Sequence, residues 1–338
     1  MIKLLSLFKD VILEGGHVFG TTHPINKDDI PPTLEKFIEE LGKIFPEKKN
    51  TFKSEEENTI KFQTLGSVGQ KDVSGDIDLG YDGNNLVKDG EPDLKGWKID
   101  PKEFEQTFAR IRGRAISATK EQSTKRAMLE LIAKRVIDTP GPIKADMKQA
   151  GNGSLFFEFP QFDPSGNEIH FKDSEGKIVD KRVQIDINVG DLDWLKFSYY
   201  SKGYTGNIKG LHRTQLLVAL FKNKDLIFNH NLGVKDKKQN VLAKNPQQVL
   251  DLLNEKYGTK ISEDIIYDYS KLMEYLQENL SESDLNSIYD IYLKNLDSMR
   301  ADIPEHLQDY WIENQQRLGL KGKLLPNDSK LIKYKTQA

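Results

Sequence analysis

The chain has 338 residues, 37% of them hydrophobic, and a formal charge of −3. That is enough for two domains with real cores, and the mild acidity gives no sign of an obligate nucleic-acid coat, although 49 Lys and Arg leave room for a local basic groove. The absence of cysteine excludes disulfides and thiolate zinc sites. No apolar run reaches the roughly 18 residues needed to span a bilayer. The opening Met1–Asp10 is too short and too charged for a signal peptide, so a soluble cytoplasmic protein is expected.

In chain order, Leu4, Leu7, Phe8, Val11 and Ile12 have helical spacing over residues 3–13, and Glu14-Gly15-Gly16 stops that helix. Pro31-Pro32 opens a second helix through Leu34, Phe37, Ile38 and Leu41 to about Ile44. Thr59–Leu65 reads as a strand, followed by a Gly66-Ser67 turn and a partner strand over Ile77–Tyr81. On that second strand alternate side chains share a face, so Asp76 and Asp78 point together while Ile77 and Leu79 point inward. Two carboxylates held so close repel each other, and a divalent cation between them relieves the repulsion. Gly66 lets the backbone approach a ligand, and N–H groups in such a turn can face phosphate oxygens.

Residues 82–100 read as a polar loop with Trp97 as its one large apolar residue. Pro101 starts a helical region to Ile137, with a break expected at Ile111-Arg112-Gly113 and an apolar face of Met128, Leu131, Ile132 and Val136. Arg110, Arg112, Arg114, Lys120, Lys125, Arg126, Lys134 and Arg135 make it the most basic stretch, either a solvated face or a set of phosphate contacts. Leu155–Phe159 is strand-like, and turns at Pro164–Asn167 and Lys172–Lys177 mark hairpin excursions. In Arg182–Val189, Val183, Ile185, Ile187 and Val189 share one face, with Gln184, Asp186 and Asn188 on the other. Asp191 and Asp193 read as the loop after that strand. Thr214–Phe221 is a further helix. From residue 246 four helices follow, starting at Asn245-Pro246, near Ile265, at Ser281 and at Pro304. Their aromatic stripe reads as core packing.

The run Leu65–Gly80, a Gly-Ser pair followed by Asp76-Ile77-Asp78, resembles the signature of the polymerase-β-like nucleotidyltransferase superfamily. Its Ser-Gly-Asp-Ile-Asp-Leu ending is closest to family X DNA polymerases. The resemblance implies a third carboxylate on a neighbouring strand, inside an apolar-Asp-apolar sequence, and Asp186 matches it. Tyr204-Thr205-Gly206-Asn207 is similar to the aromatic-Thr-Gly-Ser turn of family X, with Asn207 in place of Ser. The resemblance therefore implies Asp76, Asp78 and Asp186 as catalytic and metal residues. It also implies Gly66, Ser67, Lys71, Tyr204, Gly206, Lys209 and Arg213 around the nucleotide. No helix-hairpin-helix glycine pattern is seen, so it supports the superfamily better than DNA polymerase identity.

The expected fold is α+β: a nucleotidyltransferase palm, a mixed β-sheet with helices on one side, followed by an α-helical C-terminal domain. Expected bounds are 1–58 for N-terminal helices packing on the palm, 59–222 for the palm, 223–245 for a linker, 246–320 for the helical domain and 321–338 for a polar tail. The expected activity is transfer of a nucleoside monophosphate from an NTP or dNTP to an acceptor hydroxyl, with two Mg²⁺ ions (Mn²⁺ as substitute). Template-independent addition to a nucleic-acid 3′ end is the first form. A small-molecule or protein hydroxyl is the alternative acceptor, and a silent nucleotide-binding or assembly protein the alternative class. No Gly-x-x-x-x-Gly-Lys-Ser/Thr occurs, which disfavours a P-loop enzyme.

Overall fold

A computed structural model describes residues 18–53, 60–70, 72–88, 90–114, 119–147, 153–173, 175–200, 210–299 and 301–319. The helix expected over 3–13 and the tail from 321 lie outside them. The described chain is α+β and divides into two compact units, a sheet unit (Gly15–Tyr204 with Asn229–Gly233) and a helical unit (Thr205–Phe228 with Val234 onward).

The sheet unit is built on five strands: β1 (Gln63–Thr64), β2 (Ile77–Asp82), β3 (Lys144–Asp146), β4 (Ser154–Pro160) and β5 (Arg182–Gly190), in the order β1-β2-β5-β4-β3. The central pair β2 and β5 is parallel; β1 on β2, β4 on β5 and β3 on β4 are antiparallel. Alternation gives the sheet two different faces. Ile77, Leu79, Ile185, Ile187, Leu155, Phe157 and Phe159 form an apolar face, and all are buried. Helices cover it. In α1 (Ile30–Ile44), Pro31 and Pro32 occupy the first turn, where their missing N–H groups have no helical partner to lose. Its buried stripe places Phe37 with ring centroids 5.5 Å from both Phe157 and Phe159.

The region expected as one interrupted helix is two: α2 (Pro101–Arg114) and α3 (Lys120–Ile137). The interruption falls after Arg114, later than expected. Thr119 and Gln122 form a reciprocal capping box that fixes where α3 starts, while Gly113 is tolerated inside α2. The loop expected over 82–100 holds a short pairing of Val87–Lys88 with Glu91–Pro92. Trp97 is buried against Phe45, Phe52 and Tyr81 and donates its indole N–H to Asn85 O at 2.9 Å. The stretch after β5, expected as loop, is a helix, α4 (Leu192–Ser198), capped by Asp191, whose carboxylate accepts from Trp194 N at 2.9 Å.

The helical unit contains α5 (Gly210–Asn223), α6 (Pro246–Tyr257), α7 (Tyr269–Asn279), α8 (Glu282–Met299) and α9 (Gln308–Leu318). Asn245 caps α6 through its side chain, and Asp268 caps α7, ending the short Glu263–Ile266 turn that the apolar spacing had joined to it. The aromatic stripe packs as core: Tyr292 donates to Tyr269 Oη at 3.3 Å and meets His212 Nδ1 at 2.7 Å. Residues 223–245, expected as a linker, hold three short strands forming one sheet (Ile227–Asn229, Gly233–Lys235, Val241–Ala243).

Candidate active site

The second face of the sheet is polar and carries the acids. Asp186 on β5 and Asp78 on β2 are direct register partners on adjacent parallel strands. Asp76 precedes β2 by one residue. Ile77 and Leu79 between and beyond the pair are fully buried, and this anchors both acids to the opposite face. Asp186 is 9% exposed, while Asp76 and Asp78 are half-buried.

The electrostatics follow from that crowding. Burial raises Asp78 well above the usual carboxylate range, and the Asp76 and Asp186 charges add to it; the Asn188 amide pulls the other way. Burial, with Asp76 beside it, pushes Asp186 up to about 8 against the opposing hydrogen bond from Gln184. Burial, then Asp78 and Asp186, also raise the Tyr199 phenol, which stays protonated. Its hydroxyl donates to Asn188 Oδ1 at 2.9 Å, and Ser154 Oγ donates to the same oxygen at 2.6 Å. With Oδ1 doubly occupied, the buried Asn188 amide nitrogen is left on the Asp78 side without a well-aligned hydrogen bond.

The Gly-Ser turn closes one edge. Leu65 N donates to Asp78 O at 2.9 Å, which starts the turn against β2. Gly66 has φ +61°, a left-handed conformation that favours glycine, and a Cβ built there would lie 3.5 Å from Asp78 Oδ2. Val68 N and Gln70 N close the turn on Leu65 O and Ser67 O, and Gln70 Nε2 donates to Gly66 O at 3.1 Å. Gly80, next on the acid face, takes the packing of α4: a Cβ there would meet Leu192 and Leu65 at 3.4 Å and Leu195 at 3.5 Å. Residues 229–233 hold α4 from outside, with Trp194 Nε1 donating to Asn229 O at 3.1 Å and Ser198 Oγ to His230 O at 2.8 Å.

The structure thus brings Asp76, Asp78 and Asp186 together with the Gly66 turn, in which Ser67 O accepts from Gln70 N. Arg213, expected as a phosphate contact, lies in the helical unit. Arg213 is 2% exposed inside the helical unit, donates Nε to Ile266 O at 2.7 Å and lies 5.2 Å over the Tyr267 ring. Its environment is that of a core residue, because the start of α5 is buried. Lys71, Tyr204, Gly206 and Lys209 lie outside the described residues. In the basic stretch 110–135, Arg110 pairs with Glu130, Lys120 with Glu91 at 3.8 Å, Lys125 with Glu121 at 2.9 Å, and Lys134 with Glu103 and Asp138 at 3.2 and 2.6 Å. Sequence reasoning put Gln184 and Asn188 on the acid face by alternation but gave them no role. Tyr199 had no signal, because its helix was not foreseen.

A divalent cation fits the chemistry of this donor set, since three mutually repelling carboxylates on one face are stabilised by opposite charge. They are not closed into a tight cage. Among the described residues, the three-donor group whose ligand atoms all lie within 4.8 Å of one another is Glu168, His170 and Asp180, on an exposed hairpin. No helix among the described residues is long and apolar enough to cross a membrane.

An α+β sheet with acids converging from two parallel strands is the class that fold and site define. No family model matches the sequence, and no curated protein matches it. Among solved structures, polymerase beta of Leishmania infantum in a ternary P/T complex is similar over 79% of this chain and 87% of that chain, at 11% identity and a TM-score of 0.31. A superposition that loose leaves the functional reading to the site itself.

Proposed function

We propose that the protein is a metal-dependent nucleotidyltransferase, moving a nucleoside monophosphate from an NTP or dNTP to an acceptor hydroxyl. The observation that carries this is the register pairing of Asp78 with Asp186 on parallel strands, with the Gly66 turn packed against Asp78 Oδ2. Asp76, Asp78 and Asp186 would hold Mg²⁺ or Mn²⁺, which supplies charge neutralisation of the triphosphate and acidifies the acceptor hydroxyl. The turn at Gly66-Ser67 offers backbone N–H groups and a hydroxyl to phosphate oxygens. Asp186, with Oδ1 taken by Gln184, has Oδ2 to receive the acceptor proton as general base. The hydroxyl oxygen bonds to the α-phosphorus, the bond from that phosphorus to the bridging oxygen breaks, and pyrophosphate leaves.

A nucleic-acid 3′ end is the first acceptor class to test. The pairing of Arg110, Lys120, Lys125 and Lys134 with acids supports a second, a small-molecule or protein hydroxyl. The experiment is incubation with Mg²⁺ or Mn²⁺ and each α-labelled NTP and dNTP over RNA, DNA, protein and metabolite acceptors. Label is expected on one class, and Asp76→Asn, Asp78→Asn or Asp186→Asn should each lower transfer by about a hundredfold or more with the fold intact. Normal transfer by Asp78→Asn would overturn the reading, and transfer to no acceptor combined with no NTP binding would favour a silent scaffold. A salt-sensitive gel shift separates nucleic-acid acceptors from the others.

A further inference from the structure

Residues 18–27 form a strap over the sheet unit that touches both acid-bearing segments. Val18 N donates to Gln184 Oε1 at 2.9 Å, Thr21 Oγ1 to Glu158 Oε2 at 2.7 Å, and His23 N to Arg182 O at 2.7 Å. Gln161 Nε2 holds the strap from below at His23 O, 3.0 Å away. Its far end pairs Ile25 with Ser74 and Asn26 with Val73, and Lys27 N donates to Asp72 O at 2.8 Å. One end therefore lies on the strand of Asp186, and the other on the segment that leads into Asp76.

Gln184 is the point where strap and site meet. It is 1% exposed, and its Nε2 donates to Asp186 Oδ1 at 2.8 Å while its Oε1 accepts from Val18. A backbone N–H is only ever a donor, so it selects one of the two orientations of the amide. In that orientation the NH₂ group faces the carboxylate. Turned by half a rotation, the amide would set its NH₂ group against the Val18 N–H, donor against donor, in a buried place where the mismatch is costly. Asp186 then keeps one fixed rotamer with Oδ1 taken and Oδ2 directed elsewhere.

We infer that Gln184 is a positioning residue for the Asp186 carboxylate, and that the Val18 N–H of the N-terminal strap sets the orientation in which it acts. The inference deepens the metal-site reading above and rests on it for its consequence, although the amide geometry stands without it. Gln184 touches no reacting atom. It acts by presenting Asp186, as outer partners of metal-binding carboxylates do.

The test uses the full chain with two variants. Gln184→Met keeps the side-chain length and removes donor and acceptor together; Val18→Pro removes the single N–H and leaves Gln184 in place. Mn²⁺ affinity is read by the loss of free-ion EPR signal, with thermal melting alongside. Gln184→Met is expected to bind Mn²⁺ about tenfold more weakly while still melting cooperatively. Mn²⁺ binding as tight as in the unsubstituted protein would show that Gln184 is merely packed there. In the metal-free protein, the Gln184 side-chain amide is followed by NMR. Val18→Pro and Asp186→Asn should each shift its NH₂ signals, and unmoved signals in either would overturn the orientation. If the unsubstituted protein binds no Mn²⁺ at all, the metal reading fails first, and the amide signals still decide whether Gln184 is held between Val18 and Asp186.

Discussion

At the scale of single residues, the acid face has a thermodynamic cost that shows in its pH dependence. Asp186 sits at about 8 because burial and the Asp76 charge beside it disfavour the carboxylate. In the unfolded chain it ionises near the ordinary value of about 3.9. Between those two values the unfolded state has released a proton that the folded state keeps, so stability falls as pH rises through the window. Below it both states are protonated and the effect is absent. Without added cation, Asp186→Asn is therefore expected to melt higher than the unsubstituted protein at about pH 8, and the gap should close near pH 4. Melting curves across that range check it, and parallel pH dependence in the two proteins would show that Asp186 ionises normally. Asp76 and Asp78 were legible as a sequence pattern because their spacing is local and their neighbours apolar, whereas Asp186, far along the chain, was named through the resemblance. Gln184, Asn188 and Tyr199 were not, because what each touches depends on strands and a helix brought from elsewhere in the chain.

At the scale of elements, periodicity found the long helices and the central strands. It failed where an element is short or where a cap decides its limit. α4 has only seven residues, and Asp191 and Asp193 beside Gly190 look like loop; its formation depends on the Asp191 cap and on Leu192 and Leu195 meeting Gly80. The missing side chain at Gly80 is what lets α4 lie flat beside the acids and bring Tyr199 to them. Gly80→Val is expected to destabilise the protein by about 1–3 kcal/mol through overpacking. It should also weaken transfer by displacing the Tyr199 end of α4. Denaturant melts and the labelled-nucleotide assay measure the two effects; a variant unchanged in both would mean that α4 gives way without consequence.

At the scale of the whole molecule, the division of the chain is not a simple cut. After Tyr204 the chain passes into the helical unit, but Asn229–Gly233 belongs to the sheet unit and supplies the acceptors of Trp194 Nε1 and Ser198 Oγ. A single linear boundary at 222, the expected end of the palm, has no place for this return. Composition reports the change from sheet to helix and carries no information about a five-residue revisit. A chain cut after residue 204 would leave those two donors without their partners, at about 1–3 kcal/mol each where they are buried. It is expected to be measurably less stable in urea than one continued through residue 235, and equal midpoints would show that 229–233 contributes nothing to α4.

The register pairing of Asp78 with Asp186 also bears on how the molecule comes into being. Residues 79–185 must all be threaded between the two before they can meet, and the strap at 18–27 waits for the same strand. The turns at Asp163, Asp173 and Asp236, each closed by its own carboxylate on nearby backbone N–H groups, need no such wait. Contacts of this kind form early, and contacts of long sequence separation form late. A nascent or partly folded chain can therefore hold much of its architecture and yet no acid pair, so the appearance of activity during refolding would time the closure of the central strands.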